Sequence, residues 1–173
     1  MITTKKIFYF EDDETKPIMA GGMTMYKIEN KAIYLLLVEK LGELEDLGGK
    51  TDTKDNTIYD TVSREVFEES NGVFDKNDIK NRLPKAKYTY NQNSKYIIYI
   101  VQANDKEAKL TSDKFGDIES HNNKQRQIKW VSLKAFMNKI ILKFKINHRL
   151  KNKYFFDNLK KIESDMYDWM IFN

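Results

Sequence analysis

The chain has 173 residues, 40% of them hydrophobic and 32% charged, with a formal net charge of +4 and no cysteine. This is the length and balance of one soluble globular domain, and no apolar run approaches the roughly 18 residues that span a bilayer. Lack of cysteine excludes disulfides, thiol catalysis and thiolate-bound zinc. Two histidines, His121 and His148, argue against a histidine-built site, so any metal is a hard cation held by oxygen.

In chain order, the N-terminal MITTKKIFYFEDDE lacks a signal-peptide core, and a cytoplasmic placement is expected. Residues 1–15 read as an extension of a single domain over 1–173. Ile18 to Ile28 and Ala32 to Glu39 are rich in apolar, β-branched and aromatic residues, and Glu29-Asn30-Lys31 between them predicts a hairpin. Gly48-Gly49 then interrupts regular structure and lets the backbone approach a neighbour closely. Tyr59, Val62 and Val66 recur at helical spacing over Thr57 to Ser70, with Asp55 or Asn56 as the expected cap and Asn71-Gly72 as the stop. Lys85 to Asn91 and Ser94 to Ala103 read as strands, the second buried by composition. Residues 105–126 read as a long polar loop, Gln127 to Val131 as a short strand, and Ser132 as the cap of a helix over Leu133 to Ile140. One or two further helices fill Asn147 to Phe172. The expected fold class is α/β, with strands around a central helix and a C-terminal helical, partly basic segment over 141–173.

Charge is unevenly placed. From Lys134 to Lys161 the chain carries Lys134, Lys139, Lys143, Lys145, Arg149, Lys151, Lys153, Lys160 and Lys161 against Asp157 alone. Such a block reads either as a surface for an anionic partner or as a solvated helix face. Near the middle, Glu65, Glu68 and Glu69 fall within an arc of roughly 100° on one side of the predicted helix. Like charges three and four residues apart destabilise an isolated helix by a few tenths of a kcal/mol per pair, and a divalent cation reverses the sign of that cost.

The run GGKTDTKDNTIYDTVSREVFEESNGV resembles the box of the Nudix hydrolase family, G-x5-E-x7-R-E-U-x-E-E-x-G-U with U apolar. Gly49 matches the first glycine, Asp55 stands at the first acidic position, Arg64-Glu65-Val66-Phe67-Glu68-Glu69 matches the core and Gly72-Val73 the end. Aspartate replaces glutamate at 55, one extra residue precedes Arg64, and Asn71 is an extra residue before Gly72. "AGGMTMY" and "IKWVSLKAF" also look like scaffold segments of that family.

The resemblance implies a Nudix-type α/β/α sandwich with a mixed β-sheet and C-terminal helices. It implies hydrolysis of the pyrophosphate bond of a nucleoside diphosphate linked to a group X. A bound magnesium or manganese ion would neutralise phosphate oxygens and acidify water. Carried over position by position, Glu65, Glu68 and Glu69 look like the carboxylate ligands, one also serving as base. The Gly48 carbonyl completes the coordination, and Arg64 looks like an orienting ion-pair partner. Members of the family recruit a further acid from a later loop, here Glu119 first and Asp117 second. His121, two residues from Glu119, is a candidate for acid–base work. Substrate contacts are expected of Lys50, His148, Arg149 and Tyr96, the last among the strand tyrosines Tyr88, Tyr90, Tyr96 and Tyr99 that could stack on a base.

A nucleotide such as a nucleoside triphosphate is the first substrate class. The alternative is a capped RNA end, its phosphates on the basic block, and the residue bias resembles Nudix proteins of large DNA viruses, some of which decap RNA. A non-catalytic nucleotide-binding module is a third reading, disfavoured because all three core glutamates are intact. Partners are thus a nucleotide or nucleotide-capped substrate, with RNA and a homodimer left open and no membrane.

Overall fold

The computed structural model describes residues 5–141 and 145–172. Its chain order is Phe8–Phe10 (β1), Asp13–Ile18 (β2), Ala20–Glu29 (β3), Ala32–Lys40 (β4), Glu43–Glu45 (β5), Leu47–Lys50 (β6), Ile58–Glu69 (α1), Lys76–Arg82 (α2), Lys87–Asn91 (β7) and Tyr96–Gln102 (β8). Then come Ser112–Phe115 (α3), Ile118–Glu119 (β9), Lys124–Gln125 (β10), Gln127–Ser132 (β11), Leu133–Ile141 (α4) and Lys153–Phe172 (α5). The expected hairpin is present: Asn30 and Lys31 join β3 to β4 with φ of 50° and 62°, the left-handed pair that a two-residue hairpin turn requires.

The main sheet runs β11-β4-β3-β8-β7, with β5 against β4 and β6 against β3. The β3–β8 pair is parallel and the others are antiparallel, so the sheet is mixed. Side chains alternate across a strand, and here both faces are covered. Leu36, Val38, Ile97, Tyr99 and Val101 point to one core with Val62 and Val66 of α1, Phe74 and Ile79. Leu35, Leu37, Ile98 and Ile100 point to the other, with Phe136, Phe155, Leu159 and Ile162 of α4 and α5. This explains the unbroken apolar runs Leu35 to Val38 and Tyr96 to Val101, and makes the molecule an α/β/α sandwich. Val62 and Val66 are fully buried, each worth roughly 1.5–3 kcal/mol, and they fix which side of α1 is left for its glutamates. Among the described residues no helix is long and apolar enough to cross a membrane.

Several local expectations change. The cap of α1 is Thr57, not Asp55 or Asn56. Thr57 accepts from the Asp60 N–H, and the Asp60 carboxylate accepts from the Thr57 N–H at 2.9 Å, a reciprocal capping box. Asp55 is occupied elsewhere, as shown below. Leu83–Lys85 is a 3-10 turn, so β7 starts at Lys87. The 105–126 stretch contains a turn at Glu107–Lys109, the short helix α3 and the β9–β10 pair. It is ordered because Phe115 is buried against Phe74, with ring centroids 5.6 Å apart. Residues of the N-terminal extension form the β1–β2 hairpin, where Phe10 stacks on Tyr90 at 4.9 Å.

Candidate active site

The site lies where β6 meets α1. Gly49 and Glu65 are packed so closely that a Cβ at Gly49 would lie 2.3 Å from the Glu65 carboxylate. A Cβ at Gly48 would lie 2.3 Å from the Tyr96 hydroxyl. The close approach that the glycine pair permits is therefore to side chains of the protein itself.

Arg64 organises one half of the cluster. Its Nε donates to Asp55 Oδ1 at 3.1 Å and its Nη2 to Asp55 Oδ2 at 3.0 Å, a bidentate pair. Nη2 also donates to the Lys50 carbonyl at 2.9 Å, while Nη1 reaches Glu65 Oε1 at 2.7 Å and Glu68 Oε2 at 3.4 Å. Asp55 accepts two further bonds, from the Thr61 hydroxyl at 2.7 Å and the Asp52 N–H at 2.8 Å. Burial works against its charge, but the bonds from Arg64, Asp52 and Thr61 outweigh that and hold its carboxyl below the usual range. Asp55 thus locks Arg64 in place, and Arg64 presents Glu65 and Glu68.

Glu69 forms the other half. Its Oε1 accepts from Lys40 Nζ at 2.6 Å and its Oε2 from the Gly48 N–H at 2.8 Å. Burial pushes its carboxyl up to about 7, against Lys40 and the Gly48 N–H, and the nearby charge of Glu119 adds to the rise. The Glu65 carboxyl is also pushed up, first by burial, with Glu68 and Glu119 adding to it and Arg64 opposing. Burial works against the Lys40 ammonium, yet Glu69 more than offsets this and raises it.

Of the two loop acids, Glu119 turns inward and Asp117 is exposed. Glu119 is 3% exposed, and its Oε2 is buried without a hydrogen-bond partner. His121 is exposed, with Nε2 3.7 Å from Glu68 Oε2. Together with Phe67, Glu68, Asn71, Gly72 and Ser120 it lines an open cavity of about 340 Å³ beside the carboxylates.

Among the described residues no three carboxylate or imidazole groups already surround a common point as a metal cage. The cause is visible in the pairing: Arg64 occupies Glu65 and Glu68, and Lys40 occupies Glu69. The donor set nonetheless suits a hard cation. It is all oxygen, it holds the partnerless Oε2 of Glu119, and Glu69 already holds an ammonium.

Two expected substrate contacts are corrected. Tyr96 is 2% exposed, and its hydroxyl donates to Asp46 Oδ2 at 2.6 Å, so it is a core residue with no free face for a base. Arg149 faces inward: its guanidinium lies 4.3 Å over the Tyr96 ring, with Nη2 3.1 Å from Glu45 Oε2 and 3.2 Å from Asp46 Oδ1. Lys50 and His148 are exposed at the surface. Lys153 and Lys161 pair with Asp157 and Asp165 one turn on, which dilutes the basic block, and Lys143 lies outside the described residues.

Sequence reading missed Lys40, Asp46 and Arg126. Arg126 is 2% exposed and donates to the Glu69 carbonyl at 2.5 Å and the Phe115 carbonyl at 3.1 Å. Its position just before the short β11 strand was the only hint of a role, since none of these partners is near it in sequence.

No protein-family model matches the chain, and no curated protein matches it. Among solved structures it is similar to a C. elegans Ap4A hydrolase in a binary complex, at 15% identity and a TM-score of 0.44, covering 70% of this chain and 84% of that one. It is also similar to Shewanella oneidensis NrtR, at 17% identity and a TM-score of 0.39, over 69% of this chain. This chain spans about half of the length of NrtR, 54%.

Proposed function

We propose that the chain is a Nudix-type hydrolase that cleaves the pyrophosphate linkage of a nucleoside diphosphate joined to a further group, with nucleoside triphosphates as the first substrate class. The observation that carries this reading is the excess of buried and half-buried negative charge at one spot. Glu65, Glu68, Glu69 and Glu119 gather at the β6–α1 junction, two of them with carboxyls pushed up and one with an orphaned oxygen. A fold has no use for that excess, since each uncompensated buried charge costs several kcal/mol. A divalent cation offsets it, and the cation so held would in turn attract a polyphosphate.

Magnesium or manganese would be held by Glu65, Glu68 and Glu69, with the Gly48 carbonyl and Glu119 as further oxygen donors. When bound, the ion supplies positive charge against the phosphate oxygens and makes water a competent nucleophile at neutral pH. The remaining work falls to the chain. Asp55 keeps Arg64 fixed, so that Glu65 and Glu68 keep their facing. Lys40 and the Gly48 N–H orient Glu69. The water oxygen attacks phosphorus, the bond from phosphorus to the bridging oxygen breaks, and the water's proton passes to a carboxylate. One of the box carboxylates takes it, with Glu119, whose Oε2 has no hydrogen-bond partner, as the competitor. Lys50, on the exposed end of β6, and His148 contact the substrate's phosphates.

The capped-RNA reading loses support, because Arg149 is engaged inside the protein and cannot serve a phosphate track. A hydrolysis screen with magnesium and with manganese tests the proposal. It covers nucleoside triphosphates, dinucleoside polyphosphates, nucleotide sugars and capped RNA. Release of a nucleoside monophosphate or of inorganic phosphate or pyrophosphate is expected from the first set; no metal-dependent release from any of them would sink the reading.

A further inference from the structure

Asn71 stands two residues after Glu69, with φ of 56°. Its side chain makes four hydrogen bonds, all to residues 115–120. Nδ2 donates to the Phe115 carbonyl at 2.7 Å and the Ile118 carbonyl at 2.9 Å. Oδ1 accepts from the Ser120 N–H and the Ser120 hydroxyl, both at 2.8 Å. Glu119 lies between Ile118 and Ser120, so a single amide ties down both of its chain neighbours.

Asn71 follows Glu69 at the end of α1, so its position relative to the box glutamates is set by the helix. Through its amide the same helix end sets the position of a residue nearly fifty places further on. The pattern demands two donors and two acceptor lone pairs in one plane on a short stem, which asparagine supplies; aspartate lacks the donors and glycine lacks everything. The left-handed backbone at 71 is one that asparagine and glycine tolerate. The start of the loop does not depend on Asn71, because Arg126 also bonds the Phe115 and Gly116 carbonyls. Among the described residues, Asn71 is the side chain that hydrogen-bonds Ile118 and Ser120, the residues flanking Glu119.

We propose that Asn71 is a positioning residue, which fixes the buried Glu119 beside the end of α1 by clamping residues 118–120 there. This rests on the hydrolase reading above, in which Glu119 works with the box carboxylates.

The test uses the full chain, wild type and Asn71→Gly, with Asn71→Asp as the conservative variant that keeps an acceptor for Ser120. Manganese is titrated into each while the amide signals of Ile118, Glu119 and Ser120 are followed by NMR, and amide exchange is measured without metal. In Asn71→Gly, manganese-induced relaxation at these amides should fall and the Ser120 amide should exchange at least about 10-fold faster, with amides of α1 unchanged. Asn71→Asp should lie between the two. On any compound that the wild type hydrolyses, Asn71→Gly should lower kcat by about 10-fold or more with little change in KM, as loss of outer-shell support does. In a Glu119→Gln background the same change should cost nothing further.

Relaxation and exchange at Ser120 that match wild type in Asn71→Gly would overturn the clamp whether or not the protein turns over. So would an equal kcat loss in the Glu119→Gln background, which would show that Asn71 does not act through Glu119. A wild type that binds manganese and hydrolyses nothing defeats the functional reading, while the amide signals still decide the clamp. A wild type that binds no manganese defeats the functional reading as well, and Ser120 exchange without metal then decides the clamp.

Discussion

Two arginines in this molecule each sit among carboxylates, and their surroundings differ in one respect. Arg149 meets Glu45 and Asp46 and lies over Tyr96, whose hydroxyl takes the second Asp46 oxygen. Burial disfavours its charge, and Asp46, Tyr96 and Glu45 more than restore it. Arg64 likewise meets Asp55, Glu65 and Glu68, and is likewise held charged. Around Arg149 two acids share one guanidinium, although Asp46 Oδ1 and Arg149 Nε make no hydrogen bond. Around Arg64 there are more acids, because Glu69 and Glu119 add charges, which Lys40, Arg126 and Arg149 oppose. The first cluster gathers its acids around one cation and serves the fold; the second holds more carboxylates than cations, a surplus that a divalent cation would offset.

The largest expected effect breaks the second cluster alone. Glu68→Gln with Glu69→Gln should lower turnover of a nucleoside triphosphate by about 10³-fold or more, measured as phosphate release, while the thermal midpoint stays near or above wild type. Glu69 is buried and held partly protonated against its preference, so removing its charge spares the fold a cost. Arg149→Ala should do the opposite. It leaves Asp46 buried without its cation and should cost about 3–4 kcal/mol of stability in urea unfolding, with kcat of the folded fraction kept within a few-fold. If Arg149→Ala instead left stability alone and raised KM, the first cluster would be a phosphate site after all.

How much of this was legible in the sequence follows from how local each interaction is. The helical spacing of Val62 and Val66, the stop at Asn71-Gly72 and the crowding of Glu65, Glu68 and Glu69 all lie within or just after one element, so the helix and the side of it that carries the glutamates could be read directly. The pairing of Lys40 with Glu69 spans 29 positions, that of Tyr96 with Asp46 spans 50, and that of Arg126 with Glu69 spans 57. These depend on sheet register and on where a loop returns, which no local pattern encodes. Arg149 was misread for the same reason: inside a lysine-rich run an arginine looks solvated, and only the fold brings Glu45 and Asp46 to it. Glu119 was proposed by analogy of position and is buried in the structure, but its bonds through Asn71 were not foreseen, because Asn71 looked like an inserted residue.

A pH titration separates the clusters without mutation. The Glu69 carboxyl, ordinarily at 4.5, is pushed up to about 7 in the folded chain. The folded state therefore binds more protons than the unfolded state between these values, so stability falls as pH rises through that window and the loss is complete above it. At about 1.4 kcal/mol per unit the loss is about 3 kcal/mol, read from urea midpoints without metal. Glu65, also pushed up, works in the same direction. Asp13 and Asp60, held at about 2, act below the window and with opposite sign, because their stabilisation is lost as pH falls. Magnesium or manganese should flatten the slope by binding the ionised form, and Glu69→Gln should remove most of it. A slope that magnesium leaves untouched would place the surplus charge outside any cation site.

The smallest effect sharpens the assignment of Tyr96. Its hydroxyl is buried and bonded to Asp46, and burial pushes it far up, so it stays neutral and donates. Tyr96→Phe removes one oxygen, keeps the ring under Arg149 and leaves Asp46 Oδ2 short of a donor. The expected cost is about 1–2 kcal/mol in urea unfolding, the usual penalty for a buried acceptor left unpaired. Because the ring is retained, a stacking role would leave affinity unchanged in this variant, so Tyr96→Leu is the companion that decides. It should lose stability further through lost ring contacts, yet keep the wild-type KM for a nucleoside triphosphate wherever it is folded. A KM raised in Tyr96→Leu but not in Tyr96→Phe would return the ring to the substrate and take it out of the first cluster.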